Sequence, residues 1–156
     1  RLPGVFGKWC KPNYNSVVAT FCHNISHDLP IEVDPSAELT LVYIDDVVLE
    51  LLDVIQNNKA KKDTYLVQPE YKITVKKLAE QIYKFRNSRN NLYLEEVGSG
   101  LTRALYSTYI SYLPKEKFSY PIPANKDSSV TFNKFFASSD ISPTGTVIAE
   151  SPTKPL

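Results

Sequence analysis

Hydrophobic positions predict an amphipathic helix near the start of the chain. Over residues 15–29, apolar side chains recur every three or four positions, and polar side chains fill the opposite face. Asn13 or Asn15 is expected to cap this helix, because a short polar side chain accepts a hydrogen bond from the first free backbone amides. Pro30 is expected to end it, since proline disfavours a helical conformation at the preceding residue. Cys22 falls on the buried side.

Three further helices are predicted from the same spacing. The second begins at Asp45 and Asp46, whose carboxylates suit the partial positive charge of a helix N-terminus. The third begins at Thr74 and is interrupted by residues 86–91, and the fourth follows a Gly-Ser-Gly segment with Ser99 as its cap. The side chains expected to face the core are Val47, Val48, Leu51, Leu52 and Ile55, then Val75, Leu78, Ala79, Ile82 and Phe85, then Leu101, Ala104, Leu105, Tyr109, Tyr112 and Leu113.

Strands are predicted between and after these helices. Alternation or enrichment in β-branched and aromatic residues places them at residues 30–34, 39–44, 64–68, 130–137 and within 142–156. Beyond Pro114 the chain becomes rich in proline and turn residues, which suggests a boundary near residues 116–126. The pattern as a whole predicts a mixed α/β fold with little continuous sheet.

The composition is that of an ordinary folded domain. With 156 residues, 42% of them hydrophobic and 22% charged, the chain can form one self-supporting core. A net charge of +1 with interspersed signs argues against nucleic-acid binding. No apolar stretch reaches the roughly 18 residues of a spanning helix, so no membrane insertion is expected. Cys10 and Cys22 lack the spacing of a disulfide framework, and both are expected to be reduced thiols in the cytoplasm.

The sequence contains partial matches to two catalytic motifs, and each match lacks essential residues. His23 and His27 have the spacing of two ligands of one metal ion, yet Asn24 stands where a metalloprotease carries its general-base Glu. No third histidine exists, so a solvated polar face is expected and no metal site. Gly98 and Gly100 do not complete a phosphate-binding loop, and no Tyr stands four residues before a Lys. We therefore expect no catalytic residue in this chain.

The order of four segments is typical of a known family. RLPGVFGKW, KPNYNSVVATF, PIEVD and LVYIDDVV resemble the distal, substrate-binding part of extended short-chain dehydrogenases, the nucleotide-sugar epimerases, dehydratases and reductases. FGKWCKPNYNSVVATFC and LYSTYISYLP are similar to the CapF-type bifunctional enzymes of capsular-polysaccharide synthesis, which join such a reductase to a C-terminal cupin domain. The strong resemblance covers about residues 1–121.

The resemblance implies three parts for this chain. Residues 1–115 correspond to the substrate-binding part of an extended short-chain dehydrogenase, 116–126 to a linker, and 127–156 to an incomplete cupin-like β segment or tail. In the family, the nucleotide loop and the catalytic Tyr and Lys precede the segment that starts here with Arg1, and the cupin ligands follow the segment that ends with Leu156. Because the chain also contains no methionine, we expect it to be truncated at both ends and to lack a nucleotide-binding half.

The family also implies an activity. Its cupin epimerises a UDP-4-keto-hexosamine, and its dehydrogenase domain reduces the 4-keto group with NADPH, on the route to UDP-N-acetyl-L-fucosamine. Three hypotheses follow for this chain. It is the UDP-sugar-binding part of such a reductase and inactive alone, or a stand-alone module that binds a UDP-sugar or completes an active site on another polypeptide, or a degenerate remnant that self-associates. Homo-oligomers are expected, since removal of a partner half exposes apolar surface.

The same resemblance assigns candidate site residues. The nicotinamide would lie beside the backbone of Pro3, Gly4, Val5 and Phe6. The UDP-sugar would be contacted by Asn13, Tyr14 and Asn15. The uracil would be bordered by Ile31 and Val33. Gly4 departs from the family motif, which has Asn there and so offers a side-chain contact that this chain lacks.

A second departure concerns the phosphate-binding cation. Leu39, Thr40 and Leu41 stand where extended dehydrogenases commonly carry a phosphate-binding Arg. Arg103 is therefore the first candidate for the diphosphate and Lys8 the second, because a guanidinium can hold phosphate with two hydrogen bonds. An exposed Arg103 on a solvated helix face remains the alternative.

Overall fold

The computed structural model describes residues 2–57, 65–126, 130–138 and 144–149. The first part contains, in chain order, β1 (Gly4–Phe6), α1 (Val17–Ser26), β2 (Glu38–Tyr43), α2 (Ile44–Gln56), β3 (Tyr71–Thr74), α3 (Val75–Asn91) and α4 (Gly100–Ile110). A short 3-10 helix (Lys115–Lys117) leads to β4 (Ala124–Lys126), β5 (Val130–Phe136) and β6 (Thr144–Ala149). The predicted mixed α/β class is confirmed.

Two small sheets organise the strands. In the first, of order β1-β2-β3, β1 runs parallel to β2 with Gly4 opposite Leu41, and β3 runs antiparallel to β2. The second, of order β4-β5-β6, is antiparallel throughout. Ala137, just after β5, exchanges two backbone hydrogen bonds of 2.7 Å with Leu92 and Leu94 in the α3–α4 connection. The second sheet is therefore joined to the helical part through that connection.

The core lies where α1, α3 and α4 pack together against the first sheet. Its largest fully buried side chains include Phe6, Tyr43, Phe85 and Tyr109, and the predicted inward residues of the third helix are all buried. Cys22 is also fully buried, as predicted, and desolvation raises the pKa of its thiol. The helical periodicity of α1, α3 and α4 thus identified the main core correctly.

Helix ends differ from the sequence prediction. Neither Asn13 nor Asn15 caps α1, because the Ser16 side chain accepts the hydrogen bond from the amide of Ala19 at 3.3 Å. The helix ends at Ser26, before Pro30 can act on it.

The third helix is longer than predicted. It continues through residues 86–91, the polar run expected to interrupt it, and stops only where Leu92 adopts a left-handed conformation with φ of 54°. Ser99 occupies the predicted N-cap position of α4, although its side chain makes no capping hydrogen bond.

Two predicted strands are absent from the described residues, and three short strands were not predicted. Residues 30–34 form an irregular connection, in which the side-chain amide of Asn24 donates to the carbonyl of Pro30 at 3.0 Å. Residues 65–67 are likewise irregular, and residue 64 lies outside the described residues. β1, β3 and β4 contain only three or four residues each, too few for a period of two to show.

The apolar face of α2 is the largest departure in burial. Of the predicted inward residues only Val47 is buried. The face formed by Val48, Leu49, Leu51, Leu52 and Ile55, here named the α2 apolar face, is exposed, and Ile55 reaches 74% exposure. Among the described residues, no helix combines the length and the apolar character needed to cross a bilayer.

Candidate functional site

One candidate site is a cleft of about 610 Å³ beside α4, named here the α4 cleft. One wall is the segment that directly follows β1, and the other is α4. In open α/β sheets, ligands commonly bind at the carboxyl ends of parallel strands, and β1 ends beside this cleft. Its lining residues are Lys8, Trp9, Val97, Arg103, Tyr106, Ser107, Ile110, Ser111, Leu113 and Phe118.

Three contacts fix the segment after β1 against its neighbours. Gly7 is buried so closely against α2 that an added Cβ atom would stand 2.2 Å from Cγ2 of Ile44. The amide of Trp9 donates to the hydroxyl of Ser111 at 3.4 Å, and the hydroxyl of Tyr112 donates to the carbonyl of Cys10. Contacts on both sides therefore hold the first wall of the cleft.

The cleft carries two cationic side chains in different environments. The ammonium of Lys8 lies 3.3 Å from a carboxylate oxygen of Asp45, and this hydrogen bond raises the pKa of Lys8. Arg103 is exposed at the start of α4. The pKa of Tyr71 is raised by burial and by the charge of Asp46, and the charge of Arg103 offsets part of this rise. Because Asp45 compensates part of the charge of Lys8, Arg103 is the stronger candidate ligand for an anion.

A second cleft, of about 620 Å³, lies beside β1 and the start of α1 and is named here the β1 cleft. Its lining includes Pro3, Gly4, Val5 and Asn15, so it brings together the predicted cofactor-contacting backbone and one predicted sugar ligand. Phe6 does not line it; its side chain is buried and its ring packs 5.4 Å from that of Tyr43.

Gly4 is exposed, but a side chain added at this position would contact β2. An added Cβ atom would meet a methyl group of Leu41 and the carbonyl oxygen of Thr40, each at 3.2 Å. A larger residue at position 4, such as the Asn of the family motif, would therefore require β2 to give way by a few tenths of an ångström.

The other predicted ligands line neither cleft. Asn13 adopts a left-handed conformation with φ of 54° and donates its backbone amide to the hydroxyl of Thr20, a local role that Asn fills readily. Tyr14 is exposed, with its ring 5.4 Å from the ammonium of Lys11. Ile31 packs against the core, and Val33 is exposed in the α1–β2 connection.

The two histidines form a stacked pair at the end of α1. Their ring centroids are 4.2 Å apart, and burial together with His27 lowers the pKa of His23. One ring nitrogen of His27 lies 2.8 Å from the carbonyl of His23. Among the described residues, no group of three His, Cys, Asp or Glu side chains is arranged to hold a metal ion.

Sequence reasoning named Lys8 and Arg103 but missed most of the α4 cleft. Only the fold shows that the cleft is also lined by Trp9, Tyr106, Ser107 and Ser111. The reason is that β1 and α4 lie far apart in the sequence, near opposite ends of the helical part. The one available signal was the position of the chain's single tryptophan, directly after Lys8 and a predicted ligand segment.

Known proteins resemble this chain closely. It is 55% identical over 141 residues to the UDP-2-acetamido-2,6-beta-L-arabino-hexul-4-ose reductase of Pseudomonas aeruginosa PA103, an alignment that spans 90% of this chain and 38% of the reductase. The crystal structure of the capsular polysaccharide assembling protein CapF from Staphylococcus aureus superposes with a TM-score of 0.85 at 39% identity, covering 96% of this chain and 41% of CapF.

A crystal structure of CapF with the inhibitor 3-isopropenyl-tropolone gives the same TM-score of 0.85. No protein-family model matches the chain. The chain thus spans about two fifths of the length of the relatives it matches. The predicted resemblance to CapF-type reductases is confirmed over that part.

Proposed function

We propose that this chain is the UDP-sugar-binding part of an NADPH-dependent UDP-sugar 4-ketoreductase of surface-polysaccharide synthesis. The observation that carries the proposal is the 55% identity to a UDP-sugar 4-ketoreductase over 90% of the chain. At that level of identity the backbone of the two clefts is expected to be shared. The proposed substrate class is a UDP-linked 4-keto-6-deoxyhexosamine, in keeping with the name of that relative.

In this proposal, different parts of the ligand bind in the two clefts. Arg103, with Lys8 beside it, binds the diphosphate in the α4 cleft, where a guanidinium can hold a phosphate with two charge-assisted hydrogen bonds. Asn15 contacts the sugar from the β1 cleft, which also contains the backbone of Pro3, Gly4 and Val5. The diphosphate thereby fixes the sugar relative to β1.

The β1 cleft is compatible with a nicotinamide ring. Gly4 presents exposed backbone without a side chain at the cleft surface, so a flat ring can approach closely. Pro3 and Val5 flank that position along the same wall. The reduction itself takes a hydride from NADPH to the 4-keto carbon and a proton to its oxygen.

The chain also has surfaces on which a nucleotide-binding half could pack. β1 is an edge strand of its sheet, and parallel strands are usually covered on both faces and extended by further strands. The α2 apolar face is also exposed. These two features favour a chain that completes its active site with another half over one that works alone.

A UDP titration followed by saturation-transfer NMR tests this proposal. We expect weak binding with a Kd of about 1 mM, since the clefts are open to water, which competes for every hydrogen bond. Arg103→Ala should weaken it roughly tenfold, the range for loss of a charge-assisted hydrogen bond. Lys76→Ala, which removes an exposed cation from α3, is the matched control and should leave binding unchanged.

An activity assay completes the test. The chain should not oxidise NADPH in the presence of the 4-keto UDP-sugar, because it supplies neither a nucleotide loop nor a Tyr-Lys proton donor. Absence of UDP binding up to about 10 mM, or equal binding by the Arg103 variant, would contradict the binding role. Turnover by the purified chain would instead favour a complete enzyme.

A further inference from the structure

Lys8 forms an ion pair whose strength is limited by its geometry and by its exposure. The ammonium lies 3.3 Å from a carboxylate oxygen of Asp45, which is longer than the roughly 2.7–2.9 Å of a strong charge-assisted hydrogen bond. The two side chains are 31% and 48% exposed, so water competes for both charges. The bond to Asp45 also uses only one of the three N–H donors of the ammonium. Another anion can therefore replace Asp45 readily.

Another lysine shows how a structural ion pair differs in this fold. Lys117 lies 2.5 Å from Asp28 and joins the 3-10 helix to the end of α1. The ion pair of Lys8 lies instead beside a junction that packing already fixes, since Gly7 is packed closely against Ile44. The fold therefore does not depend on the Lys8 pair to hold the segment after β1 against α2.

Lys8 also lines the α4 cleft, the proposed site of the diphosphate. A phosphate in this cleft is an alternative acceptor for the ammonium, and the flexible four-carbon side chain can turn from one acceptor to the other. The ring centres of Tyr43 and Trp9 lie 5.9 and 6.0 Å from the ammonium, so aromatic faces attract the cation without taking up a hydrogen-bonding position. Lys8 thus has one anionic partner in the fold and a second in the ligand.

We propose that Asp45 limits the affinity of the α4 cleft by competing with the diphosphate of the ligand for Lys8. This inference rests on the proposed function and makes Asp45 a positioning residue, which acts through Lys8 and does not touch the ligand. Without ligand, Asp45 holds the ammonium. When the UDP-sugar binds, the ammonium transfers its hydrogen bond to a phosphate oxygen, and the carboxylate of Asp45 is left to water.

A limited affinity suits the proposed reaction. The substrate and the product of a 4-keto reduction carry the same UDP group, so contacts with its diphosphate stabilise both to the same extent. Such uniform binding lowers KM without raising kcat, and it slows the release of product. A carboxylate that weakens diphosphate binding therefore favours product release.

Asp45→Asn tests the competition, because it removes the carboxylate and keeps the size of the side chain. A UDP titration followed by saturation-transfer NMR should give a Kd roughly two- to fivefold lower than that of the original chain, the range for an exposed ion pair. Uridine, which carries no phosphate, should bind both proteins equally. Thermal unfolding should show that the variant is folded. Unchanged or weaker UDP binding, or an equal gain for uridine, would overturn the proposal.

Two control experiments show whether Asp45 acts through Lys8. In a Lys8→Ala background, Asp45→Asn should strengthen UDP binding by a smaller factor, because only the direct repulsion between carboxylate and phosphate is then removed. Glu50→Gln removes a carboxylate farther along α2 and should leave the Kd unchanged. An equal gain in the Lys8→Ala background, or from Glu50→Gln, would overturn the competition for Lys8.

The outcomes separate this inference from the proposed function. If UDP binds the original chain with the expected dependence on Arg103 but Asp45→Asn does not lower the Kd, the role of Asp45 is overturned and the proposed function remains. If UDP binds neither protein, both are overturned.

Discussion

Gly7 shows how one residue can determine the shape of the α4 cleft. It is buried where the chain leaves β1, and an added Cβ atom would meet Ile44 at 2.2 and 3.0 Å. Gly7→Ala should therefore displace either the cleft wall or α2 and lower the free energy of unfolding by about 1–3 kcal/mol, the usual cost of overpacking. Urea denaturation measures the loss.

Gly98→Ala is the matched control for this prediction. An added Cβ atom at Gly98 would meet nothing within 4 Å, and its backbone is not left-handed. The free energy of unfolding of the Gly98→Ala variant should equal that of the original chain or be slightly higher, because alanine restricts the conformations of the unfolded chain. Equal stability of the two variants would contradict the close packing of β1 on α2.

Substitutions at Asn15 and at the neighbouring Ser16 distinguish ligand binding from helix capping. Since Ser16 is the cap of α1, Asn15→Ala should leave the melting temperature unchanged and weaken binding of the UDP-sugar by about 1–3 kcal/mol, with UDP affinity unaffected. Ser16→Ala should do the opposite and lose about 1 kcal/mol of stability. A stability loss in the Asn15 variant without a change in sugar affinity would remove Asn15 from the site.

At the scale of elements, an ion cluster fastens the end of the helical part. Asp28 lies 2.5 Å from the ammonium of Lys117 and 2.7 Å from the guanidinium of Arg86, so it joins the end of α1 to α3 and to the 3-10 helix. Arg89 adds hydrogen bonds to the carbonyls of Lys117 and Phe118. The first residues of the predicted linker, residues 116–126, are therefore held by defined contacts.

Asp28 should make stability depend on pH. Its pKa is lowered, first by the hydrogen bond from Lys117 and then by Arg86. A carboxyl group whose pKa is lower in the folded state stabilises the fold above its unfolded pKa, and this contribution disappears as the pH falls through the folded pKa.

The variant Asp28→Asn tests this dependence while keeping a residue suited to the left-handed backbone at position 28. It should cost up to about 1 kcal/mol at pH 7, since the group is half exposed, and nothing at a pH below the folded pKa. Urea denaturation at both pH values measures this, with exposed Glu32→Gln as control. A loss independent of pH would contradict the ionic explanation.

The comparison of sequence and structure is clearest for the helices. Periodicity located α1, α3 and α4 because each buries a stripe against the same core. It also located α2, but the burial predicted for its apolar face was wrong, because periodicity identifies an apolar face and does not show whether another element covers it. The short strands β1 and β3 were missed because pairing with β2 forms them, and no local pattern records it.

The candidate site was predictable only in part. Lys8 and Arg103 were named because the chain lacks the family's phosphate-binding Arg, and the fold brings both into one cleft. The resemblance itself named Asn15 and Pro3 to Val5, which the fold brings into another. Trp9 lies within the segment that carries the resemblance, but its exposure and its backbone contact with Ser111 were not predictable from the sequence. Long-range geometry of this kind leaves no trace in spacing along a chain.

At the scale of the whole molecule, the α2 apolar face should cause self-association. Five exposed aliphatic side chains on one helix form more contiguous apolar surface than scattered residues do, and such surface promotes association. Light scattering should show a mass that rises with protein concentration. Leu51→Lys combined with Ile55→Lys should restore the monomer without unfolding α2, because lysine is a good helix former.

Leu29→Lys is the control for this experiment, since Leu29 is exposed outside the α2 apolar face. It should associate like the original chain. A monomer at every concentration, or loss of association in the control variant as well, would contradict the assignment of the interface to α2.

The central claim is that the α4 cleft binds the diphosphate of a UDP-sugar. Mapping backbone amide shifts during a UDP titration tests it most directly, because the map locates the ligand without assuming a pose. The account predicts the largest shifts at Lys8 and Arg103 and around Ser107 on α4, with Lys76 on α3 nearly unmoved. Largest shifts around Ile31 and Val33, with Trp9 and Arg103 unchanged, would contradict it.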